Sequence, residues 1–159
     1  MIGISRQTDY AARLVLHLAT LEPGTRVSIG EIAQLRLLPE AFVRRLSASL
    51  VKAGILRTAR GTGGGISLAR PASEISLLDV IEAVEGGIVL NQCLDGKHIC
   101  PLSKGCPVQG AWAAATQALR DHLAGVRFDA LAHDSEAHLS AHLSRHAAVR
   151  TAASACTVS

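Results

Sequence analysis

Apolar residues recur every three or four positions in five stretches of the chain, a spacing typical of amphipathic helices. The first stretch runs from Thr8 to Leu21. Thr8 or Asp9 is expected to cap it, because their side-chain oxygens can accept hydrogen bonds from free N-terminal amides. A Glu-Pro-Gly turn then ends it. The other four stretches begin at Ser28, Pro39, Ser76 and Pro107.

Local signals agree with this apolar spacing. Ser28 and Glu31 match a capping box, in which each side chain satisfies the other residue's backbone amide. Ser76 and Asp79 are placed to cap the fourth, shorter helix. Gly54 follows the third helix and suits its C-terminal end, because glycine adopts a positive φ without strain. The sequence therefore predicts a largely helical chain.

The third helix is predicted to have one apolar and one polar face. Its inner face would consist of Phe42, Leu46, Leu50 and Ala53. Its outer face would consist of Glu40, Arg44, Ser47 and Lys52.

Two short extended segments follow, residues 55–59 (ILRTA) and 66–69 (ISLA), with the sequence RGTGGG between them. Glycine permits the positive φ of a tight turn, so the segments are predicted to pair as a hairpin. Three helices followed by a hairpin is the order of a winged helix-turn-helix. The predicted fold is therefore mainly α with a small β-hairpin wing, followed by a long helix.

This order of elements indicates DNA binding. The third helix of the motif enters the major groove, and a basic hairpin tip can reach the backbone or the minor groove. Residues 1–70 contain ten Lys and Arg against four Asp and Glu, whereas residues 71–159 contain six against nine. On charge alone, an ordinary solvated surface stays an open alternative. The candidate DNA-contacting residues are Glu40, Arg44, Arg45, Ser47, Arg60 and Gly61.

Composition divides the chain into three parts. Residues 1–70 would form the DNA-binding domain, and residues 71–128 a cysteine loop with a long helix. That helix carries Trp112 and Leu119 on one stripe among many alanines, which suits either close packing against a second subunit or a plain core helix. Residues 129–159 are rich in Ala and His and are expected to be a short helical, partly disordered tail.

Three cysteines, Cys93, Cys100 and Cys106, lie in one loop with the spacing C-x6-C-x5-C. The chain has no apolar run near the about 18 residues of a membrane span and no N-terminal secretory signal. We therefore expect a cytoplasmic protein with no membrane partner. Disulfides are rare in the cytoplasm. A loose loop suits an iron–sulfur cluster better than zinc, which prefers close cysteine pairs. Zinc and redox thiols stay open.

Three thiols leave a fourth ligand position open. His98 would need a tight chain reversal to ligate, Cys156 lies in the tail, and Asp9 is far away in sequence. A row of histidines near the C-terminus could bind a metal but is more often solvated. Its members are His138, His142 and His146. No Ser/His/Asp or paired-carboxylate arrangement stands out, so no enzymatic activity is expected.

The sequence resembles the Rrf2 family of bacterial winged-helix regulators. The matching stretches are SRQTDYAARLVLHLA (5–19), IGEIAQLRLLPEAFVRRLSASLVKAGIL (29–56), RGTGGGISLARPASEISLLDVIEAVEG (60–86) and the three-cysteine loop. The resemblance covers about residues 1–126. It implies a homodimer that binds a palindromic operator in double-stranded DNA, with the long helix crossing its twin.

The resemblance also implies a cluster site. Cys93, Cys100 and Cys106 match the family's cysteine ligands. In NsrR-like members an aspartate of the TDY stretch, here Asp9, completes a 4Fe–4S cluster from the other subunit. IscR-like members carry a histidine where this chain has Gln109, so a 4Fe–4S cluster is favoured over a 2Fe–2S cluster. The six-residue gap after the first cysteine departs from the five typical of both groups, and RirA-like members have a longer gap.

The expected function is a transcriptional regulator, a repressor, whose operator binding depends on an iron–sulfur cluster that senses nitric oxide, redox state or iron. An iron held by the Asp9 carboxylate would be the point of attack. Loss of that bond between subunits would then change the spacing of the two third helices. The alternatives are a cluster-free or zinc-binding thiol-redox regulator of the same fold and, more distantly, an electron-transfer protein.

Overall fold

The structure is a computed structural model that describes residues 4–36, 38–95, 100–101 and 105–135. Its helices are α1 (Arg6–Ala19), α2 (Ile29–Arg36), α3 (Glu40–Lys52), α4 (Leu77–Glu85) and α5 (Pro107–Gly125). Residues 128–135 are also helical. Strands β1 (Leu56–Ala59) and β2 (Gly65–Leu68) form the hairpin. Short 3₁₀ turns cover Ala72–Glu74 and Gln92–Leu94. This order confirms the predicted fold, mainly α with a two-stranded wing.

Helix α1 begins earlier than predicted and is capped by Ser5. The Ser5 Oγ accepts a hydrogen bond from the Thr8 backbone amide at 3.3 Å. The prediction that Thr8 or Asp9 caps the helix is therefore wrong. Thr8 is buried inside the first turn, and its hydroxyl donates to Glu85 Oε1 at 2.6 Å instead.

Two pairs, each of a serine and an acidic residue, cap their helices as predicted. The Glu31 amide donates to Ser28 Oγ at 3.1 Å, and the Ser28 amide donates to Glu31 Oε2 at 2.8 Å. The bond from the Ser28 backbone amide to the carboxylate, followed by the interaction with the Ser28 side chain, lowers the pKa of Glu31. Ser76 and Asp79 form the same reciprocal pair at the start of α4. The two boxes fix where α2 and α4 begin.

The hairpin is closed by glycines and extended by one bridge to the chain before α2. Val27 and Ile66 exchange both backbone hydrogen bonds, at 3.0 Å and 2.9 Å. A Cβ on Gly65 would lie 2.5 Å from the Val27 carbonyl oxygen, and one on Gly64 would lie 2.6 Å from the Ala59 carbonyl oxygen. Only glycine lets the wing backbone approach this closely.

One hydrophobic core joins α1, α3, α4 and the hairpin. The α3 residues in it are Val43, Leu46 and Leu50, so its inner face is rotated slightly from the predicted one. Ala53 is exposed, and Phe42 is half-buried with its ring edge-on to Tyr10 at 5.7 Å between centroids. The fully buried side chains with the largest volumes are Phe128, Ile32, Leu50, Ile55, Leu56, Ile66 and Ile75.

Helix α5 is joined to this core at its C-terminal end. The Leu77 amide donates to the Val126 carbonyl at 2.9 Å, and the Phe128 amide donates to the Ile75 carbonyl at 3.0 Å. The Phe128 side chain is 1% exposed. Helix α5 itself, which is described in full, buries Thr116 alone. Its apolar residues Trp112 and Val108 stay exposed. Among the described helices, none is both long and apolar enough to cross a membrane.

Glu85 connects the end of α4 to the start of α1. Its Oε1 accepts from the Ser5 amide at 2.9 Å and from the Thr8 hydroxyl at 2.6 Å. The Thr8 hydroxyl bond and then the Ser5 amide bond hold the pKa of Glu85 below its usual value. The carboxylate thus sits at the helix N-terminus, where negative charge is favoured.

Replacing Gly65 with alanine should destabilise the protein by about 2 kcal/mol or more, because the new Cβ would overlap the Val27 carbonyl. Gly63→Ala is the matched control. Gly63 also has a positive φ, of 77°, but its Cβ would meet open space, so only about 1 kcal/mol of backbone strain is expected. Urea unfolding of both variants checks this, and equal losses would contradict the overlap.

Glu85→Gln should lower the free energy of unfolding at pH 7 by an amount that disappears in acid. Because the pKa of Glu85 is lowered in the folded state, its carboxylate stabilises the fold above its unfolded pKa. That contribution is lost as pH falls through the lower folded value. Urea unfolding of wild type and variant between pH 7 and pH 3 measures it, with Glu22→Gln at an exposed turn as control. A pH-independent difference would contradict this account.

Candidate nucleic-acid interface and cysteine segment

The first half of α3 exposes charged side chains. Arg44 and Glu40 form an ion pair at 3.1 Å, one helical turn apart, and both are more than half exposed. The guanidinium of Arg45 lies 5.1 Å from the centre of the Phe42 ring, a cation–π arrangement that holds it on the flank of the helix. Exposed ion pairs of this kind contribute little to stability. The pair can therefore break, which frees Glu40 and Arg44 to bind other groups.

Ser47 does not lie on the outer face where the sequence placed it. Its side chain is buried at 4% exposure, because Ser47 is adjacent to Leu46 on the face turned toward the core. Its Oγ has no hydrogen-bond partner among the described residues. Ser47 lines a groove between α3 and the wing. Its predicted place on the outer face is therefore wrong, whereas its contact with DNA stays a prediction.

The groove between α3 and the wing has a basic rim. Arg44 and Lys52 line it from α3, and the first turn of α2 closes one end. A Cβ on Gly30 in that turn would lie 3.4 Å from Glu40 Oε1, an ordinary contact distance, so the carboxylate lies close to the start of α2. Backbone amides at a helix N-terminus and basic side chains are both groups that contact phosphates.

The wing tip presents Arg60 and Gly61 to solvent. Gly61 has a φ of 91°, and its carbonyl accepts from the Gly64 amide at 2.9 Å, which closes the turn. Arg60 lies where β1 ends and the turn begins. Its position therefore allows the side chain to extend from the wing without crossing the hairpin.

The three cysteines are free thiols of intermediate exposure. Cys93 lies in the turn Gln92–Leu94, and Cys106 is the N-cap of α5. No group of three or more His, Cys, Asp or Glu side chains in the described part of the chain is arranged to hold a metal ion. Among the described residues, the thiols therefore share one segment of the chain without a complete set of ligands around them.

The segment that leads to Cys93 is held along α5 by two polar side chains. Gln109 Nε2 donates to the Cys93 carbonyl at 3.1 Å. The Leu90 amide donates to Thr116 Oγ1 at 3.4 Å, and that hydroxyl donates to the Trp112 carbonyl at 2.8 Å. Asn91 caps the turn by accepting from the Cys93 amide at 3.2 Å. These bonds place Cys93 beside the first turns of α5.

Asp9 is exposed in the first turn of α1, and no group of ligands among the described residues joins it to the cysteines of its own chain. Its Oδ2 pairs with Arg13 Nε at 2.9 Å. The carboxylate raises the pKa of Arg13, mainly through this hydrogen bond. Arg13 is one helical turn away, so the pair forms within α1 and both side chains stay more than half exposed.

Several residues that were weighed as possible metal ligands and disfavoured lie outside the described residues. These are His98, Cys156, His138, His142 and His146.

Sequence patterns did not identify the polar groups that hold the cysteine segment. Asn91 could have been found from the preference of Asn for capping a short turn. Gln109 was considered only as the position of a histidine ligand, and Thr116 looked like one of many small residues on α5. Glu85 had no local signal, because its partners are about 80 positions away.

Comparison with known proteins agrees with this geometry. A family model described as "Rrf2: Iron-dependent Transcriptional regulator" matches residues 4–134. "Protein aau3" of Rhizobium meliloti is 35% identical over 130 residues, which are 80% of this chain and 83% of that protein. The HTH-type transcriptional regulator NsrR of Oceanobacillus iheyensis is 33% identical over 109 residues, 68% of this chain and 74% of NsrR.

The fold has a solved counterpart in CymR, described as the global cysteine regulator of B. subtilis. CymR superposes with a TM-score of 0.68 at 26% identity, over 83% of this chain and 97% of CymR. The family match, the relatives and the winged-helix geometry therefore agree, and the chain belongs to the Rrf2 family as a DNA-binding transcriptional regulator rather than an enzyme.

Proposed function

We propose that this regulator is a repressor that acts as a homodimer on a palindromic operator and whose DNA binding is controlled by an iron–sulfur cluster. The observation that carries the proposal is the placement of the cysteines. Cys93, Cys100 and Cys106 are free, half-buried thiols, and two of them are held at one end of α5. The other end of α5 is fixed to the winged-helix core.

The donor set has the chemistry of an iron–sulfur site. Thiolates are the usual ligands of such clusters, and Cys93, Cys100 and Cys106 are the proposed three. Asp9 of a second subunit is the proposed fourth ligand, because its carboxylate is exposed and its ion-pair partner, Arg13, is exposed as well. A bound cluster, with 4Fe–4S favoured over 2Fe–2S, would supply reactivity toward nitric oxide, oxygen or electrons.

Dimer formation is supported by the exposed surface of α5. A helix with Trp112 and Val108 in solvent leaves apolar area that a second copy can cover. Its alanines permit close approach of another helix. Two winged helices related by a two-fold axis would then meet successive half-sites of a palindromic operator.

The DNA contacts are proposed for α3 and the wing. Arg44 can donate to a guanine edge, and Glu40 can accept from the amino group of cytosine. Arg45 is held nearer the flank of the helix, where a phosphate is the better target. Arg60, with the flexible Gly61 beside it, is proposed to reach the backbone or the minor groove.

The chain itself offers a path between the cysteine segment and the DNA-binding face. Helix α5 begins at Cys106 and is pinned at Val126 to α4, while Glu85 of α4 holds the first turn of α1. Helix α1 packs on α3. Gain or loss of the proposed bond to Asp9 of one subunit would therefore shift α1 and, through it, the position of α3, the helix proposed to contact DNA.

A thiol-redox regulator is the second candidate. It is favoured by the same observation that all three thiols are free and partly exposed, since such thiols can be oxidised without any metal. Protein purified without air that contains no iron, yet loses DNA binding reversibly on mild oxidation, would select this candidate over the first.

Arg60→Ala should weaken DNA binding about tenfold at physiological salt, and it should reduce the slope of log affinity against log salt by about one. Binding to a duplex selected from a random pool by the purified protein measures both quantities. Arg120→Ala is the charge-matched control, because Arg120 is on α5 and pairs with Glu82 at 2.7 Å. Equal effects in both variants would argue against a contact by the wing.

The cluster proposal predicts visible absorption and bound iron and sulfide in protein purified without air. Cys93→Ala, Cys100→Ala and Cys106→Ala should each lose the absorption, whereas Asp9→Ala should keep some iron but respond differently to nitric oxide. Arg13→Ala is the control, because it removes the partner of Asp9 and leaves the carboxylate. If Asp9→Ala matches wild type in spectrum and nitric oxide response, Asp9 is not a ligand.

A further inference from the structure

The backbone of Cys93 is held on both sides by side chains. Its amide donates to Asn91 Oδ1 at 3.2 Å, and its carbonyl accepts from Gln109 Nε2 at 3.1 Å. Both backbone groups of this one residue are therefore fixed, while its Sγ stays free. The Asn91 bond is local to the turn. The Gln109 bond is different, because it reaches 16 residues along the chain and joins the turn to α5.

Gln109 also relates Cys93 to Cys106. It lies in the first turn of α5, three residues after Cys106, which is the N-cap of that helix. The helix therefore fixes the distance from Gln109 to Cys106. The hydrogen bond from the Gln109 side-chain amide to the Cys93 carbonyl holds Gln109 close to Cys93. Thr116 lies two turns further along the same face and holds Leu90. The segment before Cys93 thus has two attachments to α5.

We propose that Gln109 is a positioning residue that presents the Cys93 and Cys106 thiolates as a prearranged pair. The proposal rests on the proposed function, in which these thiolates hold an iron–sulfur cluster. Groups that orient ligands from outside the ligand set commonly change metal affinity by about 10- to 100-fold when they are removed. Gln109 has that relation to Cys93, although it would touch no iron itself.

The chemistry of the contact requires a donor at position 109. A carbonyl oxygen accepts hydrogen bonds and cannot donate, so only the amide nitrogen of Gln109 can make this bond. Glutamate has nearly the same shape but presents only acceptors when ionised. Gln109→Glu therefore removes the bond and places a negative charge beside the Cys93 carbonyl, with little change in side-chain volume.

The same helix offers a matched control. Gln117 Nε2 donates to Asp121 Oδ1 at 2.7 Å, one helical turn apart on an exposed face. Gln117→Ala also removes one glutamine and one hydrogen bond from α5, but it leaves the cysteine segment unchanged. A general effect on helix stability would appear in both variants, whereas an effect on Cys93 would appear only at position 109.

The test compares wild type, Gln109→Ala, Gln109→Glu and Gln117→Ala in the full-length protein. In protein loaded without air, transfer of iron to a chelator should be about tenfold faster in both position-109 variants. In the metal-free protein, with Cys100→Ser and Cys156→Ser added, the equilibrium constant for forming the Cys93–Cys106 disulfide from oxidised glutathione should fall several-fold. Thermal unfolding of the metal-free variants should stay close to wild type.

The outcomes separate this inference from the proposed function. If wild type binds no iron but the disulfide constant still falls in the position-109 variants, the cluster proposal fails and the positioning role stands. If wild type binds iron and the position-109 variants match it in iron loss and disulfide constant, the positioning role is overturned. Equal changes in Gln117→Ala would also overturn it, because the effect would belong to the helix as a whole.

Discussion

The pairing of Ile75 and Leu77 with Val126 and Phe128 is the interaction on which the arrangement of this chain depends. Two backbone hydrogen bonds close it, at 2.9 Å and 3.0 Å, and the Phe128 side chain enters the core between them. Helix α5 buries Thr116 alone and also meets α4 through the Arg120–Glu82 ion pair at 2.7 Å. The backbone pairing fixes one end of this 19-residue helix to the winged helix while Trp112 and Val108 stay exposed.

Helix α4 connects the winged-helix core to the cysteine segment. Its residue Val80 and the preceding Ile75 belong to the same core as α1 and α3. The division of the chain at residue 70 therefore marks a change in amino-acid composition, but one hydrophobic core spans both sides of it. The last residue of α4, Glu85, holds the first turn of α1, and the chain that follows runs to Cys93. The cysteine segment thus begins directly after Glu85, the residue that joins the end of α4 to the start of α1.

Local signals predicted most of the fold, because they act within a few residues. Capping boxes and the wing glycines belong to this class, and the structure confirms them. Failures came from contacts between distant parts of the chain. Thr8 looked like a cap, but its hydroxyl is taken by Glu85. Ser47 looked polar and exposed, but the phase of α3 turns it inward. The donor role of Gln109 depends on where Cys93 lies, which no sequence period encodes.

The proposed fourth ligand follows from what the chain holds and what it leaves free. Cys93 and Cys106 are tied to one end of α5, whereas Asp9 is tied through the first turn of α1 to Glu85. Among the described residues, no group of ligands joins Asp9 to the cysteines within one protomer. The proposed ligation by Asp9 is therefore assigned to a second protomer. Such a bond across the dimer would pull on α1, which packs against α3, the helix proposed to contact DNA.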